Sequence, residues 1–181
     1  MIRVTGGTLR GRKLRTPPER ITRPPTDRVR QAAFNILGMQ VKGACLLDLF
    51  AGSGSYSIEA ISRGAESATL VEIHPIAQRV IRENLSITGL EERCRLIPGD
   101  VLRVIPILTQ QYSVVIIAPP HFLDLLDPTL NSVAEHDVLL DGGTVMVQHH
   151  QDEPPVAEAG ILYLQKQKRY GTTILSWYGK T

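Results

Sequence analysis

The sequence predicts an α/β chain built on a mixed, mostly parallel sheet with helices on both faces, preceded by a basic N-terminal arm. Three observations carry this. From residue 44 short apolar runs alternate with helical patterns, the last two runs are separated only by a turn, and the positive charge is gathered at one end.

The runs "ACLLDLF", "SATLVEI", "RCRLIPG" and "YSVVIIA" are continuous and bounded by turn residues, as strands covered on both faces are. Helical patterns lie between them near residues 55–64, 75–88 and 101–110. Pro75, after His74, suits the first turn of the second helix, and Gly89 in "ITGL" marks its stop. A helix near 121–135 and a fifth strand, "GGTVMVQHH", follow. The closing "GILYLQKQKRYGTTILSWYG" reads as two strands joined at "RYGT", an antiparallel hairpin that makes the sheet mixed. Ahead of the sheet, residues 26–40 form a leading helix with Thr26 as N-cap and Val29, Ala33, Ile36 and Leu37 on one face.

A chain of 181 residues, 43% hydrophobic and 21% charged, is enough for one domain with a short appendage. No apolar run reaches the roughly 18 residues of a membrane span, and "MIRVTGGTLRGRKL" lacks the apolar stretch of a signal peptide, so the expected location is cytoplasmic. Cys45 and Cys94 fall in strands without CxxC spacing and are expected as free thiols. A monomer is the default.

Residues 1–30 hold nine basic side chains against Glu19 and Asp27, a net +7 that leaves −5 on the rest of the chain. An arm of residues 1–25, with turn-formers Gly6, Gly7, Gly11, Pro17, Pro18, Pro24 and Pro25 among its arginines, thus precedes a domain of residues 26–181. A polyanion suits such an arm, because the planar guanidinium fork matches phosphate; a solvated extension that binds nothing is the alternative.

"LLDLFAGSGSYSIEA" is a strand, a glycine turn and a helix. Gly52 and Gly54 let the backbone turn tightly and approach a ligand. A dinucleotide fingerprint stays open, since Ser57 is small where a third glycine would stand. Three carboxylates sharpen the reading: Asp48 ends the first strand, Glu72 ends the second where it can accept from ribose hydroxyls, and Asp100 follows the third. Together they repel a pyrophosphate and welcome a nucleoside with a cationic tail, namely S-adenosylmethionine. The plainer alternative is that Asp48 and Asp100 cap the helices that follow them.

"DLFAGSGSYSIEAISRGA" with "TLVEIHP" resembles the first two motifs of class I S-adenosylmethionine-dependent methyltransferases. More narrowly, "RVTGGTLRGRKL", "RPPTDRVRQAAFNIL" and "RYGTTILSWY" are similar to the RsmD family, which methylates the N2 amine of a guanine in 16S ribosomal RNA. The resemblance implies a Rossmann-like, seven-stranded mixed sheet of order 3-2-1-4-5-7-6 with strand 7 antiparallel. It implies small-subunit ribosomal RNA, or the assembling 30S subunit, as partner. Asp48, Phe50, Ala51, Gly52, Ser53, Gly54, Glu72, Ile73, Asp100 and Val101 fall on its cofactor positions, and Arg3, Arg10, Arg12, Lys13, Arg23, Arg28 and Arg30 on the RNA-facing segment.

The family's fourth motif, Asp-Pro-Pro followed by Phe or Tyr, reads Ala118-Pro119-Pro120-His121 here, with Phe122 one place late. A guanine N2 lone pair is delocalised, so acceptors aimed at its hydrogens favour the charge that grows as the methyl group arrives. Prolines fix the backbone and remove competing N–H donors, while an aromatic face stacks on the base. Alanine at 118 deletes one acceptor, a cost of about 100- to 1000-fold in rate on the scale of one well-placed transition-state contact. His121 can stack or accept through a ring nitrogen, or simply sit solvated at the mouth. Asp124 and Asp127 are weaker candidates for the missing carboxylate. Two alternatives therefore stand beside an active guanine-N2 methyltransferase: a cofactor- and RNA-binding protein of ribosome assembly with little catalysis, and a methyltransferase with another target. His149 and His150, adjacent on a strand, point to opposite faces and do not serve one metal ion.

Overall fold

The computed structural model describes residues 2–21 and 24–180; Arg23 lies outside them. Its centre is an eight-stranded sheet. In chain order its strands are β3 (Cys45–Leu49), β4 (Ser67–Glu72), β5 (Cys94–Pro98), β6 (Tyr112–Ile117), β7 (Leu139–His150), β8 (Glu158–Ala159), β9 (Leu162–Tyr170) and β10 (Thr173–Lys180). A separate small ribbon pairs β1 (Ile2–Arg3) with β2 (Lys13–Leu14). The order β5-β4-β3-β6-β7-β10-β9-β8 is the expected arrangement, with β5 to β7 parallel and β10 antiparallel to both β7 and β9. The eighth strand is the correction: two residues, Glu158 and Ala159, pair with the outer edge of β9. They are too short to leave a period-2 signal.

Helices cover both faces. α1 (Asp27–Leu37), α2 (Ser55–Ser62) and α3 (Pro75–Thr88) pack Phe34, Ile61 and Ile81 into one core with Leu46, Leu70 and Ile116 of the sheet. On the other face α4 (Val101–Val104) and α5 (Leu126–Glu135) join Val104 and Leu130 to Leu47, Val115 and Val147. Alternation along β3 explains the split, since Leu46 faces the first core while Leu47 and Leu49 face the second.

The expected caps are present. The Thr26 hydroxyl accepts from the Val29 N–H, Pro75 opens α3, and Gly89 ends it at φ +68°. Two helices are shorter than expected. Past Val104 the chain tightens to a 3₁₀ turn, Ile105–Ile107, because Pro106 brings no N–H to an α-helical ladder. The helix expected from 121 begins at Leu126, because Pro119, Pro120 and the positive φ of Phe122 (60°) and Asp124 (52°) hold 119–125 as a loop. Cys45 and Cys94 are free thiols. Among the described residues no helix is long and apolar enough to cross a membrane.

The arm is bound to the domain by three buried polar residues. Glu59 accepts from the Thr5 N–H (2.8 Å), the Thr5 hydroxyl (2.7 Å), Arg30 (3.2 Å) and Arg63 (2.8 Å). Ser62 accepts from the Leu9 N–H and donates to the Gly6 carbonyl, and its own carbonyl takes the Thr8 N–H. Asn84 accepts from the Arg15 N–H and donates to the Arg15 and Ser53 carbonyls. Gly7 makes this contact possible: at φ +76° an added Cβ would stand 1.8 Å from the Ser62 carbonyl oxygen.

Candidate active site

β4 and β6 flank β3 on opposite sides, so connections leaving the C-terminal ends of β3 and β6 diverge and open a crevice. A cleft of about 420 Å³ lies there, a size that suits a small ligand. One wall is the turn Phe50-Ala51-Gly52-Ser53 with Glu72, Ile73, Asp100 and Val101. The facing wall is Ala118, Pro119, Pro120 and His121. Both stretches that the sequence singles out thus contribute to its lining.

The turn is held by strained backbone and by Glu72. Phe50 sits at φ +66°, a conformation that costs a non-glycine residue about 1 kcal/mol or more. Glu72 is buried, and its two oxygens accept the Gly52 and His74 N–H groups at 2.8 Å each. Each oxygen keeps a second lone pair for a hydroxyl in the cleft. Beside it the Ser53 hydroxyl is buried without a partner, a polar atom that a ligand would satisfy. Asp100 caps α4 through the Leu102 N–H and still lines the cleft, so capping and lining are compatible.

Asp48 corrects the expectation of three carboxylates around the ligand. It shares the β3 face of Leu46, turns beneath α2, and accepts from the Ser57 hydroxyl at 2.7 Å without reaching the cleft. Burial pushes its carboxyl up to about 7; the Ser57 hydrogen bonds oppose that shift and the charge of Glu72 adds to it. Gly54 also lies behind the wall. Its φ of +74° starts α2, and a Cβ there would press on Leu70 at 3.3 Å.

On the facing wall Phe122 is the misplaced residue. It is 61% exposed and outside the cleft lining, with its ring 5.1 Å from the His150 ring in an edge contact. Its positive φ turns it away from the line set by the prolines. The Phe122 N–H donates to Glu153 Oε2 at 3.0 Å. His149 is buried: its Nδ1–H meets the His150 carbonyl at 2.9 Å and its Nε2 meets the Ser176 hydroxyl at 2.8 Å. Burial lowers its pKa, so it serves as a neutral structural link between β7 and β10.

Of the basic set, Arg3, Arg10, Arg12, Lys13 and Arg28 are exposed. Arg30 is a correction. It is fully buried, paired with Glu59 and with Asp27 at 2.8 Å and bonded to the Arg3 carbonyl, so no phosphate reaches it. Its place at helical spacing from Ala33 and Phe34 was the available signal.

Sequence reasoning missed other parts of the cleft lining. Glu19, Arg20, Ile21, Pro24 and Pro25, from the segment joining arm to α1, line it. So do Tyr56 and Gln148, joined by a 2.7 Å bond from the tyrosine hydroxyl to the glutamine oxygen. Burial raises the Tyr56 hydroxyl pKa, leaving a neutral donor.

Residues 2–179 match the family model described as conserved hypothetical protein 95. Ribosomal RNA small subunit methyltransferase D of Escherichia coli is 35% identical over 147 residues, which span 81% of this chain and 74% of that protein. A putative ribosomal RNA methyltransferase of Bacillus subtilis, YlbH, is 29% identical over 99% of both chains. The solved structure of the putative methyltransferase yhhF from Escherichia coli superposes with a TM-score of 0.85 at 31% identity, over 99% of this chain and 97% of that one.

Proposed function

The chain belongs to the conserved hypothetical protein 95 family, that of the small-subunit ribosomal RNA methyltransferases D, and from that premise we propose that it methylates the exocyclic N2 amine of a guanine in 16S ribosomal RNA, with S-adenosylmethionine as donor. One observation carries the reading: the buried carboxylate of Glu72 and the Ala118-Pro119-Pro120 segment line one cleft at the sheet's switch point.

The residues fit the donor. Glu72 would accept from the ribose hydroxyls, the Phe50–Ser53 turn would hold the amino-acid end, and Ile73, Asp100 and Val101 would enclose the adenine. Two carboxylates in this wall disfavour a pyrophosphate and favour a cationic sulfonium. Bound there, the sulfonium supplies an activated methyl group. Asp48 and Gly54 act from behind, by shaping the turn and the start of α2.

Beside Ala118 a proline-flanked main-chain carbonyl is the acceptor for one amine hydrogen, and neither Pro119 nor Pro120 has an N–H to compete with it. Phe122, exposed at the rim, offers a ring to a base splayed from its stack. The arm of residues 1–25 presents Arg10, Arg12 and Lys13 to phosphate while its distal part roofs the cleft. Protein and substrate meet as a cytoplasmic monomer with the RNA or the assembling 30S subunit.

Glu72→Ala is expected to weaken S-adenosylmethionine binding about 100-fold in calorimetry, as the loss of charge-assisted hydrogen bonds predicts. Wild-type protein is expected to methylate undermethylated 30S subunits, and mapping of the product gives a guanine N2. Unchanged affinity in Glu72→Ala, or methylation at another atom, overturns the assignment. Binding of donor and RNA without turnover would point instead to a role in assembly.

A further inference from the structure

Two polar residues of the cleft lining, Gln148 of β7 and Tyr56 of α2, belong to neither the donor turn nor the Ala-Pro-Pro segment. They are 9% and 3% exposed. Strand register explains where Gln148 stands. β6 and β7 run parallel with Ile116 opposite Met146 and Ile117 opposite Val147, so one further step sets Ala118 beside Gln148. Ile116, Met146, Ala118 and Tyr56 all pack in the core beneath α1 to α3, and alternation along β7 returns Gln148 to that face. The methyl group of Ala118 thus has a carboxamide as its neighbour in the adjacent strand.

The Tyr56 hydroxyl donates to Gln148 Oε1 at 2.7 Å. Burial keeps that hydroxyl protonated, and it has no other acceptor among the described residues. The amide therefore turns its oxygen to Tyr56. Both N–H groups of Nε2 are left without an acceptor among the described residues. Two such donors, on a side chain nine-tenths buried in the lining of a cleft, require an acceptor from a ligand.

We propose that Gln148, oriented by Tyr56, is a specificity-determining residue that donates from Nε2 to the ring nitrogen beside the amine to be methylated. This inference rests on the proposed methylation of a guanine amine. The N2 amine of guanine has an acceptor, N3, on one side and a donor, N1–H, on the other. An N–H of Gln148 pairs with N3, while the main-chain carbonyl beside Ala118 takes a hydrogen of the amine. Contacts to two adjacent atoms of one base fix its rotation and present the amine to the methyl group. A base with a donor at the N3 place leaves the Gln148 N–H groups unpaired and is rejected. Tyr56 acts through Gln148 and is a positioning residue.

Replacing the amide by a carboxyl makes the donor switchable, because a carboxyl donates only while protonated. The rate of Gln148→Glu relative to wild type, in methyl transfer to undermethylated 30S subunits, is expected to be highest at acid pH and to fall as pH rises. An acceptor role would reverse that slope. The other ionisable groups lining the cleft, Glu19, Tyr56, Glu72, His74, Asp100 and His121, and the fixed charge of Arg20, are common to both proteins and cancel in the ratio. Donor affinity, followed by calorimetry over the same range, is expected to stay constant, so the slope reports the substrate contact and not the fold. Gln148→Met, which keeps the length and loses both polar atoms, is expected to lose about 10- to 100-fold in kcat/KM, the scale of one buried hydrogen bond. Tyr56→Phe, which leaves the amide free to turn, is expected to lose about fivefold.

A ratio that is level or rises with pH, or a Gln148→Met enzyme within threefold of wild type, overturns the inference and leaves the methyltransferase reading standing. Loss of donor affinity in both Gln148 variants would make the side chain part of the fold and overturn it as well. A wild-type protein that methylates no RNA overturns both readings.

Discussion

Helix α2 carries one buried carboxylate, Glu59, and packs through Ser57 on another, Asp48, and the protein treats the two in opposite ways. Toward the arm, Glu59 collects two arginines and both donors of Thr5. Burial by itself would raise its carboxyl, but the Thr5 and Arg63 hydrogen bonds and the Arg30 charge outweigh burial and hold it below the ordinary value. Toward the sheet, Asp48 has only Ser57 as a side-chain donor, and burial wins. Charge is kept where a segment must be docked and suppressed behind the glycine turn, where an uncompensated buried carboxylate would be costly.

The two titrate against stability in opposite senses. A depressed Glu59 contributes stability that is present above its unfolded value and lost as pH falls through its folded value. A raised Asp48 contributes stability that is full below the unfolded value near 3.8 and lost as pH climbs toward about 7.

The largest effect comes from breaking the charged side. Glu59→Ala strands Arg30, which is fully buried and keeps only half-exposed Asp27 as a carboxylate partner. Loss of one partner of a buried pair costs about 3–5 kcal/mol. Chemical denaturation gives the total, and hydrogen exchange is expected to lose protection first at Thr5, Thr8 and Leu9, whose N–H groups end on α2. A loss below 1 kcal/mol would mean that the arm docks without Glu59, and the contrast between the two sides would vanish.

Asp48→Asn sharpens the comparison with a smaller effect. The amide keeps an oxygen for the Ser57 hydroxyl and cannot ionise. Its stability relative to wild type is expected to be about 2 kcal/mol more favourable at pH 8 than at pH 5, where wild-type Asp48 is still mostly protonated. Urea titrations at the two pH values decide it. An equal difference at both would mean that Asp48 is ionised throughout, like its counterpart Glu59.

What the sequence discloses follows from how far each interaction reaches along it. Strands β3 to β7, the Thr26 and Gly89 caps and the glycine turn depend on neighbours within a few residues, and the bare sequence predicts them. Glu59, Ser62 and Asn84 do not announce themselves, because their partners in the arm lie 53 to 69 residues away. A Glu inside "GSYSIEAISRG" reads as an exposed helix position. Asp48 shows a subtler limit: its position marks the correct end of the sheet, while the face depends on alternation from Leu46, which points it at α2. Arg30 fails for the same reason as Glu59, since the two hide each other. Glu153 is 31 residues from Phe122, and the bond it accepts from the Phe122 N–H is visible only once the chain is folded.

The smallest expected effect tests whether the docked arm is also a binding surface. Arg10 and Arg12 are exposed, whereas Arg30 spends its charge inward. Arg10→Ala with Arg12→Ala is therefore expected to leave folding and donor affinity unchanged, since neither side chain belongs to the Glu59 clamp or lines the cleft. Binding to a 16S RNA fragment is expected to weaken alike for matched and mismatched sequences. The slope of log affinity against log salt is expected to fall by about 1.4 if both contact single-stranded phosphates, roughly 0.7 for each counterion no longer released. The base of the arm stays clamped in this variant, so a changed slope reports the loss of phosphate contacts and not the loss of arm structure. An unchanged slope would make the Glu59 side a purely structural fastening and move the RNA surface elsewhere.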